Sequence, residues 1–274
     1  MNTLPAKEAS TVPSGGGRTI NDLLTSVSAS RLTTFQQCRL KFMFRYVLGV
    51  AKPKSAALHV GSSVHGVLKF WNMARWKNQQ PTLKQLHDVY AAQWNDQQER
   101  QPVNWGDEQE EEKKTGWRLL ETYFRESPIP PDEKPEAVEV NVEADLNQHG
   151  LPKLVGILDL VRHGGQIVDF KSSGKTPDPA QVAHLLNTQT TAYSILYRET
   201  TGRKESSVAL HHLVKTKNPK LVVTVLEPAA DNQITRLFRV MESYVKGLQR
   251  ADWVPSPGMQ CASCEFFNEC RHHC

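Results

Sequence analysis

Between residues 28 and 125 the apolar positions recur at helical spacing; beyond residue 136 they begin to alternate with polar ones. Leu32, Phe35, Cys38, Phe42 and Tyr46 form one helical stripe, with Ser28 or Ser30 placed to cap its start and Gly49 its end. Cys38 falls on that stripe, where a small core residue is the ordinary occupant. Gly61-Ser62 opens a second helix, with Val64, Val67, Leu68 and Trp71 inward and His65 at the stripe's edge. Residues 80–125 read as charged and helical: Trp94, Trp117, Leu120 and Phe124 give an apolar side, and the run 110–114 a solvated one. The proline-rich stretch 127–135 is a linker or long turn.

Three alternating stretches, 137–146, 154–161 and 166–171, then predict a meander of strands. Asp178-Pro179 starts a helix that Gly202 can close, with a stripe of Val182, Leu185, Gln189, Tyr193 and Leu196. A glutamine buried in that row without partners would be costly, so Gln189 has to bond to something in the core or in a site. Strands at 206–214 and 220–226 and an amphipathic helix carrying Ile234, Leu237, Met241, Tyr244, Val245 and Leu248 follow. The expected architecture is a single α/β domain: a mixed central sheet flanked by helices.

The stretch 156–171 is the centre of the functional reading. It is a hairpin around Gly164-Gly165, and alternation puts Asp169 and Lys171 on one face. A two-residue turn would send Asp159 to the opposite face; a three-residue turn, 163–165, would pair it directly with Asp169. In that register two like charges face each other and ask for a cation, with a lysine one step along. Two carboxylates and a lysine on one strand face suit metal-dependent phosphodiester hydrolysis.

Composition narrows the setting. Lys and Arg number 33 against 29 Asp and Glu, which excludes a histone-like polycation but leaves room for a local basic groove. Apolar runs fall short of a membrane span and no apolar signal core is present, so an intracellular, cytoplasmic setting is expected. Residues 1–27, rich in Ser, Thr, Pro and Gly, are expected to be a flexible tail, and 28–274 the folded domain. Gly174-Lys175-Thr176 resembles the end of a phosphate-binding loop, but Asp169 stands where that loop needs glycine, which rejects an NTPase. Cys261, Cys264 and Cys270 form C-x2-C-x5-C, with Cys274 last: metal ligands rather than core residues. Either His272, His273 or Cys274 completes a local zinc site, or Cys38 completes an iron–sulfur site that joins the two ends of the chain.

Taken in order, these motifs resemble the RecB-like branch of the PD-(D/E)XK nuclease superfamily, and within it the iron–sulfur exonucleases related to the CRISPR-associated RecB-like nuclease and the AddB nuclease domain. The matching stretches are Ser28 to Cys38, Gly61 to His65, Gly156 to Asp159, Val168 to Lys171, Gln189 to Tyr193 and the cysteine cluster; Leu158 stands where the superfamily's name has proline. The resemblance implies a restriction-endonuclease-like core with a cysteine staple. It implies Mg²⁺ or Mn²⁺ held by His65, Asp159, Asp169 and the Phe170 carbonyl, with Lys171 acting on the attacking water and Gln189 and Tyr193 positioning the lysine and DNA. It implies a [4Fe–4S] cluster on Cys38, Cys261, Cys264 and Cys270. Glu139 or Glu143 is a further acid that could assist the site. The activity implied is a DNA exonuclease on single-stranded or frayed ends, in a bacterial or phage repair or recombination setting, alone or beside a helicase. The rival is a non-catalytic nucleic-acid-binding or assembly module with a zinc or iron–sulfur site. Lys69, Arg75, Lys77 and Lys175 are expected along the DNA groove.

Overall fold

The computed structural model describes residues 16–106 and 108–273. In chain order the elements are α1 (Ile20–Thr25), β1 (Ser26–Val27), α2 (Ala29–Gln37), α3 (Arg39–Phe42), a π-helical turn (Met43–Val47), β2 (Lys54–Ser55), α4 (Ala56–Trp76), α5 (Leu83–Arg100), β3 (Val103–Asn104) and α6 (Gln109–Glu126). Then come β4 (Ala137–Ala144), β5 (Lys153–Arg162), β6 (Gln166–Ser173), α7 (Pro179–Leu185), α8 (Asn187–Thr201), β7 (Ser207–Val214), β8 (Lys220–Leu226), α9 (Asp231–Gln249) and α10 (Phe267–His272). β4, β5 and β6 form the expected meander; β7 joins β6 in parallel and β8 closes the far edge antiparallel. One core packs α2, α8 and α9 against one face of this sheet through Leu32, Phe35, Tyr193, Leu196, Leu237 and Tyr244. The other packs α4, α5 and α6 against the opposite face through Val64, Leu68, Trp94, Leu120 and Tyr123.

Four expectations change. The tail expected over 1–27 is ordered at its C-terminal end, since Thr19 and Asp22 form a capping box on α1 and β1 pairs with β5; its residues 1–15 lie outside the described residues. The helix through Cys38 is two helices: Ser28 caps α2, the backbone turns extended at Cys38, and the Cys38 sulfur accepts the Lys41 N–H as the cap of α3. The helix from Pro179 is likewise broken, at Leu186, before α8 runs on to Gly202 in the left-handed region. α4 also begins earlier than Gly61, with Ser55 as its cap. No helix among the described residues is long and apolar enough to cross a membrane.

The two core clusters expose a local irregularity. On β5, Leu158 packs with the α8 side and Leu160, two residues on, with the α4 side; on β4, Val142 and Val138 divide the same way. A regular strand returns to the same face every second residue. Both strands therefore change face together, at the opposed residues Asp159 and Glu139, and Glu139 sits in the left-handed region at φ 49°. Such a conformation in a non-glycine residue costs about 1–3 kcal/mol and persists where the surroundings impose it.

Gly165 adopts φ 76° in the β5–β6 turn, and a Cβ there would lie 2.6 Å from the Tyr197 hydroxyl. Gly165→Ala should lower stability by about 1–3 kcal/mol through strain and overpacking. Urea unfolding measures it; an unchanged midpoint would refute this account of the turn.

Candidate active site

The β5–β6 ladder pairs Arg162 with Gln166, Val161 with Ile167 and Leu160 with Val168, and then stops. The connection is thus the three-residue one, 163–165, and one step further the register sets Asp159 opposite Asp169. There the strands part. The Phe170 N–H, which a continuing ladder would give to β5, is accepted instead by Asp159 Oδ2 at 3.0 Å. Leu154 pairs with Ala144 of β4 on one side, so β1 takes the edge of β5 that β6 has left. Between those two contacts residues 155–159 have an open edge.

At this opening His65, Glu139 and Asp159 bring one ligand atom each within 4.8 Å of the others. α4 supplies the histidine. Its Nε2 lies 2.8 Å from the Phe170 carbonyl, which can only accept, and its Nδ1, the lone-pair nitrogen whenever the ring is neutral, lies 3.6 Å from Asp159 Oδ2. A lone pair facing a carboxylate is repulsive unless a proton or a cation lies between them. Burial, then the Asp169 charge, push the Asp159 carboxyl up to about 6, with Glu139 adding to the rise and His65 and the Phe170 N–H opposing it. Three donors, two of them carboxylates, on an open edge are what a hard divalent cation binds. Those residues fit Mg²⁺ or Mn²⁺. A cleft of about 730 Å³ opens over them, lined also by Lys69, Lys171 and the exposed Leu58 and Ile157.

Asp169 is 2 % exposed and does different work. Its Oδ1 accepts from Tyr193 Oη at 2.7 Å, Lys171 Nζ at 3.0 Å and Gln189 Nε2 at 3.3 Å, and Lys171 Nζ is also 2.8 Å from Oδ2. Gln189 Nε2 donates to Tyr193 Oη as well, at 2.6 Å. Burial, then the charges of Asp169 and Asp159, hold the Tyr193 phenol well above its usual range, so it stays a donor. Gln189 thus has the partners that its place in an apolar row demanded. The break before α8 aims that helix's first turn at β6.

Of the sequence-level candidates, His65, Asp159, Asp169, Phe170, Lys171, Gln189 and Tyr193 converge here. Glu139 joins them, and Glu143 does not: it pairs on the surface with Lys153 at 2.8 Å. The signal for Glu139 lay in the β4–β5 register, which sets it opposite Asp159, but the long β4–β5 connection hid that register. Among the expected DNA-groove cations, Arg75 is buried, bonded to Asn72 and to the carbonyls of Pro130 and Glu133, and cannot serve. Its guanidinium is part of the α4 core.

A second site lies at the joined chain ends. Cys38, Cys261, Cys264 and Cys270, all unpaired, line a cavity of about 330 Å³ with Phe44 and Phe266. Burial and the other three sulfurs push the Cys270 thiol up. A single tetrahedral zinc would hold its thiolates about 3.8 Å apart, given Zn–S bonds of about 2.3 Å. Among the described residues no three cysteine or histidine ligand atoms come within 4.8 Å of one another here. Cys274 lies outside the described residues. Ion pairs of Arg39 with Asp252, of Lys41 and Arg45 with Glu265 and of Lys52 with Glu269 bind the two segments, as does stacking of Phe44 on Phe266.

A family model of the PD-(D/E)XK nuclease superfamily matches residues 26–271. The chain belongs to the PD-(D/E)XK nuclease superfamily. Among solved structures it is similar to a "Putative exonuclease" from Eubacterium rectale, at 16% identity and TM-score 0.61, covering 97% of this chain and 94% of that one. At that identity the likeness is one of fold. SSO0001 overlaps at 13% identity and TM-score 0.36, covering 86% of this chain and 93% of that one, too distant to carry an argument. No curated protein matches the sequence. Membership makes the mixed sheet with flanking helices a nuclease core, and DNA the class of substrate.

Because the Asp159 carboxyl is raised from 3.8 to about 6, its ionisation opposes folding: the cost is absent below about pH 4 and complete above about pH 6. Asp159→Asn should therefore stabilise the metal-free protein well above pH 6, by on the order of 2 kcal/mol. The same variant should lose the rise in melting temperature that Mg²⁺ or Mn²⁺ gives the wild type. Thermal melts with and without the ion check both, and a destabilised variant that still responds to metal would contradict the site.

Proposed function

We propose that the protein is a metal-dependent deoxyribonuclease of the RecB-like branch, an exonuclease working on single-stranded or frayed DNA ends. The observation that carries this is the meeting of His65, Glu139 and Asp159 at an open strand edge beside Lys171. Mg²⁺ or Mn²⁺ would be held by these three together with Asp169 or the Phe170 carbonyl. When bound, the ion supplies Lewis acidity at the scissile phosphate and lowers the pKa of water. The chain's own groups do the rest. Lys171 places an ammonium where charge develops on the phosphate and orients the attacking water. Tyr193 and Gln189 fix Asp169, and Asp169 fixes the lysine. The cleft's exposed Leu58 and Ile157 offer apolar contact to a splayed base, as single strands present and stacked duplex does not. Unwound ends would be supplied by fraying or by a helicase activity.

The four cysteines suit a [4Fe–4S] cluster better than zinc, since the fourth thiol comes from Cys38 and the sulfurs surround a cavity rather than a point. Its role would be to hold the ends together, with stability of about 4–5 kcal/mol from closing so long a loop.

Two measurements test the reading. End-labelled single-stranded DNA with Mn²⁺ should be degraded from its ends, and Lys171→Ala should lose at least about 100-fold in rate while still binding DNA in chelator. No cleavage by the wild type on any end would favour the non-catalytic module. For the cysteines, anaerobically purified protein should be brown, and Cys38→Ser should be colourless and less stable by about the loop-closure term, because serine keeps the cap on Lys41 N–H without ligating iron. A colourless wild type holding one zinc would sink the cluster alone.

A further inference from the structure

α9 carries a row of cations that the catalytic cleft does not use. Arg236, Arg239, Ser243, Lys246 and Arg250 follow one another at three- and four-residue steps, so they share a face of the helix, and all are exposed. At 1.5 Å per residue the row is about 21 Å long. Arg236 and Arg239 make no hydrogen bond or ion pair among the described residues; Lys246 has only a loose partner, Glu242 at 3.7 Å. Unpaired guanidinium groups this close repel one another, and an anion relieves them.

The row is also concave. Arg236, Arg239 and Ser243 line a cavity of about 650 Å³ with Gln36 and Arg39 of the α2–α3 corner. One end of it lies near α8: Gln36 Oε1 accepts from Thr188 Oγ1 at 3.3 Å, and Thr188 precedes Gln189. The other end meets the cysteine module, because Ser256 lines both this cavity and the cysteine-lined one. A basic, open groove whose wall is bonded to the helix that carries Gln189 matches a chain of phosphates.

We infer that α9 is a second nucleic-acid site, which holds the sugar–phosphate backbone of a DNA strand beyond the nucleotide being cut. This rests on the nuclease reading for its ligand, and extends it by separating holding from cutting. Arg236 and Arg239 bind phosphates in the cavity, and Lys246 and Arg250 continue the path; Arg39 beneath them is already paired with Asp252. The contacts carry no sequence information, since none of these groups reads a base edge. They matter only for strands long enough to reach from the cleft to α9.

The test measures binding of single-stranded DNA in chelator, so no cutting intervenes. Probes of about six and about thirty nucleotides are compared for wild type and for Arg236→Gln with Arg239→Gln, glutamine keeping the helix propensity. Affinity for the long strand should fall about tenfold at physiological salt, and its log–log salt slope should flatten by ~1.4, the loss of two phosphate contacts at ~0.7 each. Affinity for the short strand should fall less than about twofold. The same charge change at the exposed Lys204 and Lys217 should leave both strands bound as in wild type. Equal losses on short and long strands, an unchanged salt slope, or an equal effect from Lys204 and Lys217 would each overturn the α9 site. Cleavage is scored separately on wild type. A wild type that binds with the predicted length dependence but never cuts would refute the nuclease reading and leave this site standing.

Discussion

One backbone hydrogen bond organises the molecule's centre: the Phe170 N–H given to a carboxylate instead of to a neighbouring strand. An amide in a sheet interior must find an acceptor. By supplying one from a side chain, Asp159 lets β5 and β6 separate without leaving the donor unsatisfied. The separation makes the rest possible. β1 fills one end of the vacated edge, α4 brings His65 to the other, and Asp169 turns to the α8 helix. The site is thus a controlled failure of β-pairing, and the cleft is the space where a ladder would have been.

Its two carboxylates are treated in opposite ways. Asp169 is buried but surrounded by donors, with a lysine, a phenol and an amide on it. Asp159 has one amide and otherwise faces a histidine nitrogen and another acid. Its ionised form is the unstable one, and the left-handed backbone at Glu139 beside it adds to that cost. Strain and charge repulsion are concentrated on one side of the site. Stability lost there is recovered in two well-packed cores, as the general conflict between function and stability would have it.

Much of this was legible in the chain. The meander, the helix start at Asp178-Pro179, the helix stop at Gly202, and the need of Gln189 for partners follow from local rules that the fold obeys. The hairpin's register is one of two options open to a Gly164-Gly165 turn, and positive φ at both glycines is compatible with either, so only the strand pairing decides it. What could not be read was non-local. Glu139 has an unremarkable sequence context, and only its place opposite Asp159 makes it notable. Cys38 lay on a helical stripe, and a stripe gives no sign that its helix will break there to turn a sulfur towards residues more than two hundred positions away. Nothing local to Arg75 shows that the distant linker carbonyls of Pro130 and Glu133 close over it.

The ion pairs at the joined ends all run in one direction. Every cation, Arg39, Lys41, Arg45 and Lys52, comes from the early segment, and every acid, Asp252, Glu265 and Glu269, from the late one. A chain shortened before residue 252 would therefore lose more than its cysteines. It would uncover Leu40, Met43 and Phe44, which Phe266 now covers, inside a ring of four unbalanced positive charges. That combination of grease and charge adheres to nucleic acid and membranes without discrimination. The late segment is as much a shield as a clasp.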